Sequence, residues 1–266
     1  MTQGAQQMPL AWQTDRLATQ SYSSRDEMAE AASRDLAEAL RGLLATKTRV
    51  SVMFAAAPSQ QDTLALLRNA ADIDWSRIAA FHMDEYIGLD IGHQARFANW
   101  LDRHLFTLVP FEKIHRIEPH RFSSPEACAA DYAGRLAEEP LDLVCLGVGM
   151  NGHLAFNDPP DARFEDRQSV KVVTLAQDCR IQQVEDECFA SLADVPQQAI
   201  TVTIPALLSA GRMISVVPGA LKKAAVTRML TGPIAEDCPA SILRRHPQAV
   251  LYLDEASTPD VFRRAA

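Results

Sequence analysis

Three groups of residues in this chain have types and spacings that could do chemistry. The first is Gly147-Val148-Gly149-Met150-Asn151-Gly152-His153, followed by Asn157 and Asp158. A histidine with a carboxylate five residues on can form an oriented acid/base pair, because imidazole titrates near neutral pH and a carboxylate can hold its ring. The same residues would also suit a loop that only caps its own backbone. The second group is Phe81-His82-Met83-Asp84-Glu85-Tyr86, where two carboxylates end an apolar run. One of them could remove a carbon-bound proton; a helix cap or a solvated turn is the plainer alternative. The third group could hold an anion. Gly219 precedes a helix whose first turn carries Lys222 and Lys223, and a helix N-terminus beside a lysine suits a phosphate. Arg180 adds a forked donor. Ser59 stands before another helix, where its hydroxyl can cap the helix or meet the anion. Each of these, taken singly, also reads as a solvated charge or an ordinary cap.

The Gly147–Gly152 spacing matches GxGxxG, which suggests a dinucleotide site. That motif needs a helix opening within it to face the pyrophosphate. Here Pro159-Pro160 arrives too soon for a long helix, and no acidic residue ends the following strand. Gly149 and Gly152 still imply a sharp turn that a ligand can approach closely. The chain has no GxxxxGK[ST], HExxH or GxSxG. His115 and His120 lack a third ligand, so neither a catalytic metal nor a cofactor is expected.

The elements that must position these residues alternate. Short apolar runs at 49–54, 78–83, 141–146, 170–175, 199–204, 212–217 and 249–253 read as buried strands. Helical stretches lie between them. One opens at Ser23-Ser24, with Glu27 placed as in a capping box and an apolar stripe of Met28, Ala32, Leu36, Leu40 and Leu43. Others start at Pro58, Ala95, Pro125 and Ala220. This alternation predicts an α/β fold, a parallel sheet covered by helices on both faces. Ligands of such sheets bind beyond the carboxyl ends of the strands, where all three groups fall. A single domain spans 1–266, with residues 1–13 read as a flexible tail.

Composition narrows the partners. Apolar residues make up 47% and charged residues 23%, which excludes wholesale disorder, collagen and a coiled-coil rod. With 26 basic and 34 acidic residues the net charge is −8, a poor match for nucleic acid or a membrane surface. The five cysteines include no CxxC pair, which argues against a disulfide framework and for a reducing, cytoplasmic setting. Residues 1–20 hold no apolar signal segment, and the most apolar stretch, 201–226, is broken by Pro205, Arg212, Pro218, Lys222 and Lys223.

Together these segments resemble the glucosamine-6-phosphate deaminase/isomerase family, relatives of the 6-phosphogluconolactonases. The resemblance rests on Phe81 to Leu89 and Leu146 to Pro159. Weaker pieces fit at Thr174 to Arg180, Val217 to Lys222 and Ser241 to Pro247, in family order. It implies a Rossmann-like sandwich, a phosphosugar substrate and often self-association into homo-oligomers. By resemblance, Asp84 is the base that moves a proton between C2 and C1. His153 assists ring opening, supported by Asp158, while Arg180 and Lys222 bind phosphate, with Ser59, Glu85, Gly149 and Gly152 near the substrate.

Three departures stand out. Asn151 replaces the usual Asp, so it can orient His153 by hydrogen bonding but adds no charge. Asp158 replaces the usual Glu and is one methylene shorter. The phosphate loop reads Ala55-Ala56-Ala57-Pro58-Ser59-Gln60-Gln61, without the usual glycine, and Pro58 has no N–H to donate. A lactonase-like hydrolase and a sugar-phosphate binder without turnover stay open as alternatives. Tyr86 counts against the lactonase branch, which usually has Arg there.

Overall fold

The computed structural model describes residues 8–159 and 161–263. The strands are β1 (Leu10–Thr14), β2 (Leu17–Tyr22), β3 (Val50–Phe54), β4 (Ile78–His82), β5 (Asp84–Tyr86), β6 (Lys113–His115), β7 (Leu143–Leu146), β8 (Val170–Thr174), β9 (Gln198–Val202), β10 (Arg212–Val217) and β11 (Ala249–Asp254). The helices used below are α1 (Arg25–Thr46), α2 (Gln61–Leu67), α3 (Phe97–Leu101), α4 (Pro125–Glu138), α5 (Gln177–Glu185), α6 (Ile204–Leu208) and α7 (Lys223–Thr231).

The main sheet has the order β1-β2-β11-β10-β7-β3-β4-β6. Every neighbouring pair is parallel except β1–β2. Side chains alternate across it as a strand's period of two requires. Val52, Phe54, Ala80, Cys145 and Ile214 pack with α1, α2 and α3 on one face. Met53, Phe81, Val144, Leu146 and Met213 pack with α4, α6 and α7 on the other. This is the expected sandwich, and burial on both faces explains why its strands read as continuous apolar runs. Helix α1 begins as its sequence predicts: the Ser24 hydroxyl accepts from the Glu27 N–H at 3.2 Å. Leu36 and Leu40 on its stripe are fully buried, so cutting either to alanine costs about 2–5 kcal/mol.

Two expectations need correction. Residues 1–7 of the expected tail lie outside the described residues, but residues 10–13 are not tail. They belong to β1, which turns through Asp15 (φ 52°) and pairs antiparallel with β2. Trp12 stacks on Phe262 at 4.6 Å, so the hairpin has an apolar contact to hold it. The runs at 170–175 and 199–204 do form strands, but they leave the parallel sheet. Strands β5, β9 and β8 make a separate antiparallel sheet. Strand β8 is only partly buried, with Lys171 among its residues, and suits a sheet with one solvated face. The stretch from Ala95 is a helix in α3 that continues as a π-helical turn over Asp102–Phe106. Among the described residues no helix is long and apolar enough to cross a membrane.

Candidate active site

Four adjacent strands, β4, β3, β7 and β10, send their carboxyl-end loops to one place. These loops supply Met83 and Asp84, Ala55 to Ser59, Gly147 to Gly149 with His153, and Lys222 to a cavity of about 290 Å³. The site follows from topology, since all four strands run the same way and end at the same edge.

Asp84 opens β5 and is held in register by pairing with Thr201. Asp84 lines the cavity and is 6% exposed, and its carboxyl receives no hydrogen bond from the described residues. Burial, then the neighbouring Glu85 and Asp158 charges, push its pKa well above the usual carboxylate range. A carboxylate so placed is a stronger base than a solvated one. Behind it stands His82, which sequence reasoning passed over. Its Nε2 accepts from the Ile117 N–H at 2.8 Å, so Nδ1 carries the proton and donates to the Asp84 carbonyl at 2.9 Å. Burial lowers His82 to about 3, so it stays neutral and acts as a fixed strut under Asp84.

Glu85, expected near the substrate, is not there. Consecutive strand residues face opposite ways, so Asp84 turns to the cavity and Glu85 turns away. Its oxygens accept from the N–H groups of Tyr86, Phe97 and Ala98, each at 3.0 Å, and Arg96 lies at 3.6 Å. Glu85 therefore caps the start of α3, with burial lifting its carboxyl to about 7.

The loop after β7 is built around its glycines. The Gly149 N–H donates to the His153 carbonyl at 3.0 Å, and the Gly152 N–H to the Gly149 carbonyl at 3.0 Å. A Cβ on Gly149 would lie 2.2 Å from the His153 ring, so only glycine leaves room for the imidazole. Gly152 has φ 91°, and a Cβ there would meet Cys238 Sγ at 2.8 Å. Gly149 lines the cavity, whereas Gly152 serves the turn and does not. No helix follows the motif: residues 153–159 and 161–169 are irregular, and Pro160 lies outside the described residues.

His153 Nδ1 lies 2.9 Å from Asp158 Oδ1, close enough for an ion pair but not aligned as a hydrogen bond. Asn151 does not touch the ring. Its Nδ2 donates to Asp158 Oδ1 at 2.7 Å and its Oδ1 accepts the His153 backbone N–H at 3.0 Å. The amide thus acts on His153 through Asp158 and through the backbone. Burial pushes the Asp158 carboxyl up, but His153, the Asn151 amide and the Cys179 thiol outweigh it, and the group titrates below its ordinary value.

At the anion end, Ser59 sits in a 3-10 turn, Pro58–Gln60. The fully buried Gln60 amide donates to Ser59 Oγ and to the Val216 carbonyl, both at 3.0 Å, and so fixes the hydroxyl. Gly219, at φ 95°, donates its N–H to both carboxylate oxygens of Asp254 at 3.0 Å, which holds the turn that presents Lys222. Lys222 lines the cavity and has no ion-pair partner among the described residues; burial lowers its pKa. Arg180 does not join it. Its guanidinium donates to the Leu192 and Val195 carbonyls at 2.6 and 2.9 Å. Helical spacing explains this. Cys179, Gln182, Gln183 and Asp186 form the inward stripe, and Arg180 is one residue off it. Arg103, at the cavity rim with Gln94, is a cation that sequence reasoning missed. His115, set aside with His120 as an incomplete ligand pair, faces Glu139 at 3.2 Å.

The family described as glucosamine-6-phosphate isomerases/6-phosphogluconolactonase matches residues 23–252. The chain belongs to this family. A glucosamine-6-phosphate deaminase of Staphylococcus epidermidis is 33% identical over 198 residues, covering 73% of this chain and 79% of the relative. One from Pseudarthrobacter chlorophenolicus is 36% identical over 192 residues, covering 71% and 72%. Among solved structures, a monomeric glucosamine-6-phosphate deaminase superposes with a TM-score of 0.81 at 25% identity, covering 90% of this chain and 98% of that one. A 6-phosphogluconolactonase of Thermotoga maritima shares the fold, with a TM-score of 0.73 at 18% identity, covering 89% and 100%. Members of this family are enzymes, and the shared fold is the Rossmann-like sandwich described above.

Proposed function

We propose that this chain is a glucosamine-6-phosphate deaminase, converting an amino-sugar phosphate and water to fructose 6-phosphate and ammonia. One observation carries the reading. A buried carboxyl without hydrogen-bond partners, Asp84, faces the same cavity as His153 with its Asp158 support. Proton transfer between adjacent carbons needs a base of that kind, and ring opening needs a separate acid/base.

In this mechanism His153 moves the proton that opens the sugar ring. Asp158 favours the imidazolium that forms, and Asn151 holds Asp158 in place. Asp84 then takes the C2 proton of the open aldose and returns it to C1. The C2 amine becomes an iminium, water adds, and ammonia leaves the ketose. The phosphate sits against Lys222 and Ser59, with Arg103 at the rim. Arg180 and Glu85 have no part in binding. Steps and charges balance without any redox change. The free thiols Cys128, Cys145, Cys179, Cys188 and Cys238 suit the reducing cytoplasm.

The test is to incubate the protein with glucosamine 6-phosphate and assay ammonia and fructose 6-phosphate together. Equimolar release is expected. Intact substrate after long incubation would overturn the reading. A parallel assay of 6-phosphogluconolactone hydrolysis decides whether the lactonase branch takes its place.

A further inference from the structure

A buried cluster joins the His153–Asp158 pair to a thiol that this chemistry does not use. Cys179 opens the inward stripe of α5 and reaches the His153–Asp158 pair. One ligand atom from each of His153, Asp158 and Cys179 lies within 4.8 Å of the other two, and all three residues are buried. His153 Nδ1 faces Asp158 Oδ1 at 2.9 Å without hydrogen-bond alignment, in residues 8% and 4% exposed, and the Cys179 thiol is within reach of the Asp158 carboxylate. We infer that His153, Asp158 and Cys179 form a site for a thiophilic divalent cation, Zn²⁺ above all, and that its occupancy shuts the active site.

The donor set supports this choice of ion. Imidazole, carboxylate and thiolate are the ligand types zinc takes, at roughly 2.0–2.3 Å. Three such ligands around one ion stand roughly 3–4 Å apart, so closure needs only small side-chain movements from the present spacing. Magnesium and calcium prefer oxygen and are poor competitors. His153 joins this cluster to the cavity wall. Asn151, bonded to Asp158 at 2.7 Å, orients that ligand from behind.

The binding step is a proton exchange. Cys179 is a free thiol. On binding, the S–H bond breaks, the sulfur–metal bond forms, and the proton leaves to solvent. His153 binds as neutral imidazole and Asp158 as carboxylate, so about one proton is released per ion. No electrons move. The ion then holds the Nδ1 lone pair and Asp158, and the imidazole can no longer cycle its proton for ring opening.

The site stands on geometry alone; only the inhibition arm rests on the function proposed above. The full-length protein, freed of metal by a chelator, is titrated with Co²⁺ as a spectroscopic probe and with Zn²⁺ in competition with a chromophoric chelator. One equivalent should bind, with a sulfur-to-cobalt charge-transfer band and proton release into weak buffer. The band should vanish in Cys179→Ser. Zn²⁺ affinity should fall by more than about tenfold in Cys179→Ser and in Asp158→Asn, since even loss of an outer-shell partner costs that much. If either variant misfolds, the other still decides. No band in the parent protein, a band that persists in Cys179→Ser, or Zn²⁺ affinity unchanged in Asp158→Asn would each overturn the site. Where turnover is measurable, Zn²⁺ should inhibit, a chelator should restore activity, and Cys179→Ser should need more than about tenfold more Zn²⁺. Inhibition of equal potency in that variant would overturn the switch.

Discussion

Replacing Gly149 by alanine tests whether the position of the His153 ring limits turnover. The new methyl carbon would stand 2.2 Å from Cε1 and 2.3 Å from Nδ1 and Nε2 of the imidazole. Ordinary carbon contacts begin near 3.4 Å, so the ring must retreat by about 1.2 Å. That movement displaces the imidazole relative to Asp158, whose Oδ1 now lies 2.9 Å from Nδ1. A misplacement of about 1 Å in a catalytic group can cost on the order of 10²-fold in rate. Overpacking should also cost about 1–3 kcal/mol of stability. Gly149→Ala should therefore lower kcat by about 10²-fold while phosphosugar affinity, set at Lys222 and Ser59, changes little. Steady-state kinetics with calorimetric binding of fructose 6-phosphate reads both quantities, and a thermal melt verifies the fold. A kcat within about threefold of the parent, in a folded variant, would refute the claim that ring position is limiting.

Asn151→Asp turns the donor on Asp158 into a second carboxylate. The limb of the pH–rate profile that depends on the His153 imidazolium should move to higher pH, because added negative charge favours the cation; an unmoved limb would count against the role given to Asn151. Lys222→Met should raise KM by about tenfold or more, as expected for a lost charge-assisted contact. Arg180→Met, in contrast, should lower the melting temperature and leave KM alone, because its partners are the Leu192 and Val195 carbonyls. Glu85→Ala should destabilise by about 3–5 kcal/mol, read by urea unfolding, since it leaves the 4%-exposed Arg96 unpaired and orphans the N–H groups of Phe97 and Ala98. Asp84→Asn should gain stability relative to the parent as pH rises. The Asp84 pKa is raised in the folded state, so its favourable contribution is complete below its unfolded value and is lost as pH climbs through the folded one. Thermal melts at about pH 5 and about pH 8 check the sign.

The parallel sheet was legible because strands buried on both faces leave continuous apolar runs, and the helices between them carry caps such as Ser24. The small antiparallel sheet was not, because β8 and β9 have the same residue types as sheet strands and only their long-range pairing sets them apart. The β1–β2 hairpin hid in a polar N-terminal stretch whose anchor, Trp12 on Phe262, spans most of the chain. In the site, Asp84, His153, Asp158 and Lys222 were readable from motif and position, and the structure brings them to one cavity or its wall. Arg180 and Glu85 were misplaced for one reason: each is a single residue off the face that looks inward, and local sequence does not fix that phase. His82, Gln60 and Asp254 act through buried hydrogen bonds to backbone or side-chain partners distant in sequence, for which no local pattern exists.

The central claim is that Asp84 moves the proton between C2 and C1. The most direct test is the turnover of glucosamine 6-phosphate by Asp84→Asn, measured as ammonia and fructose 6-phosphate, in protein shown by calorimetry to bind fructose 6-phosphate like the parent. The account predicts a fall of about 10²–10⁴-fold in kcat, the usual contribution of a positioned base, with binding retained. Turnover within about tenfold of the parent would contradict it.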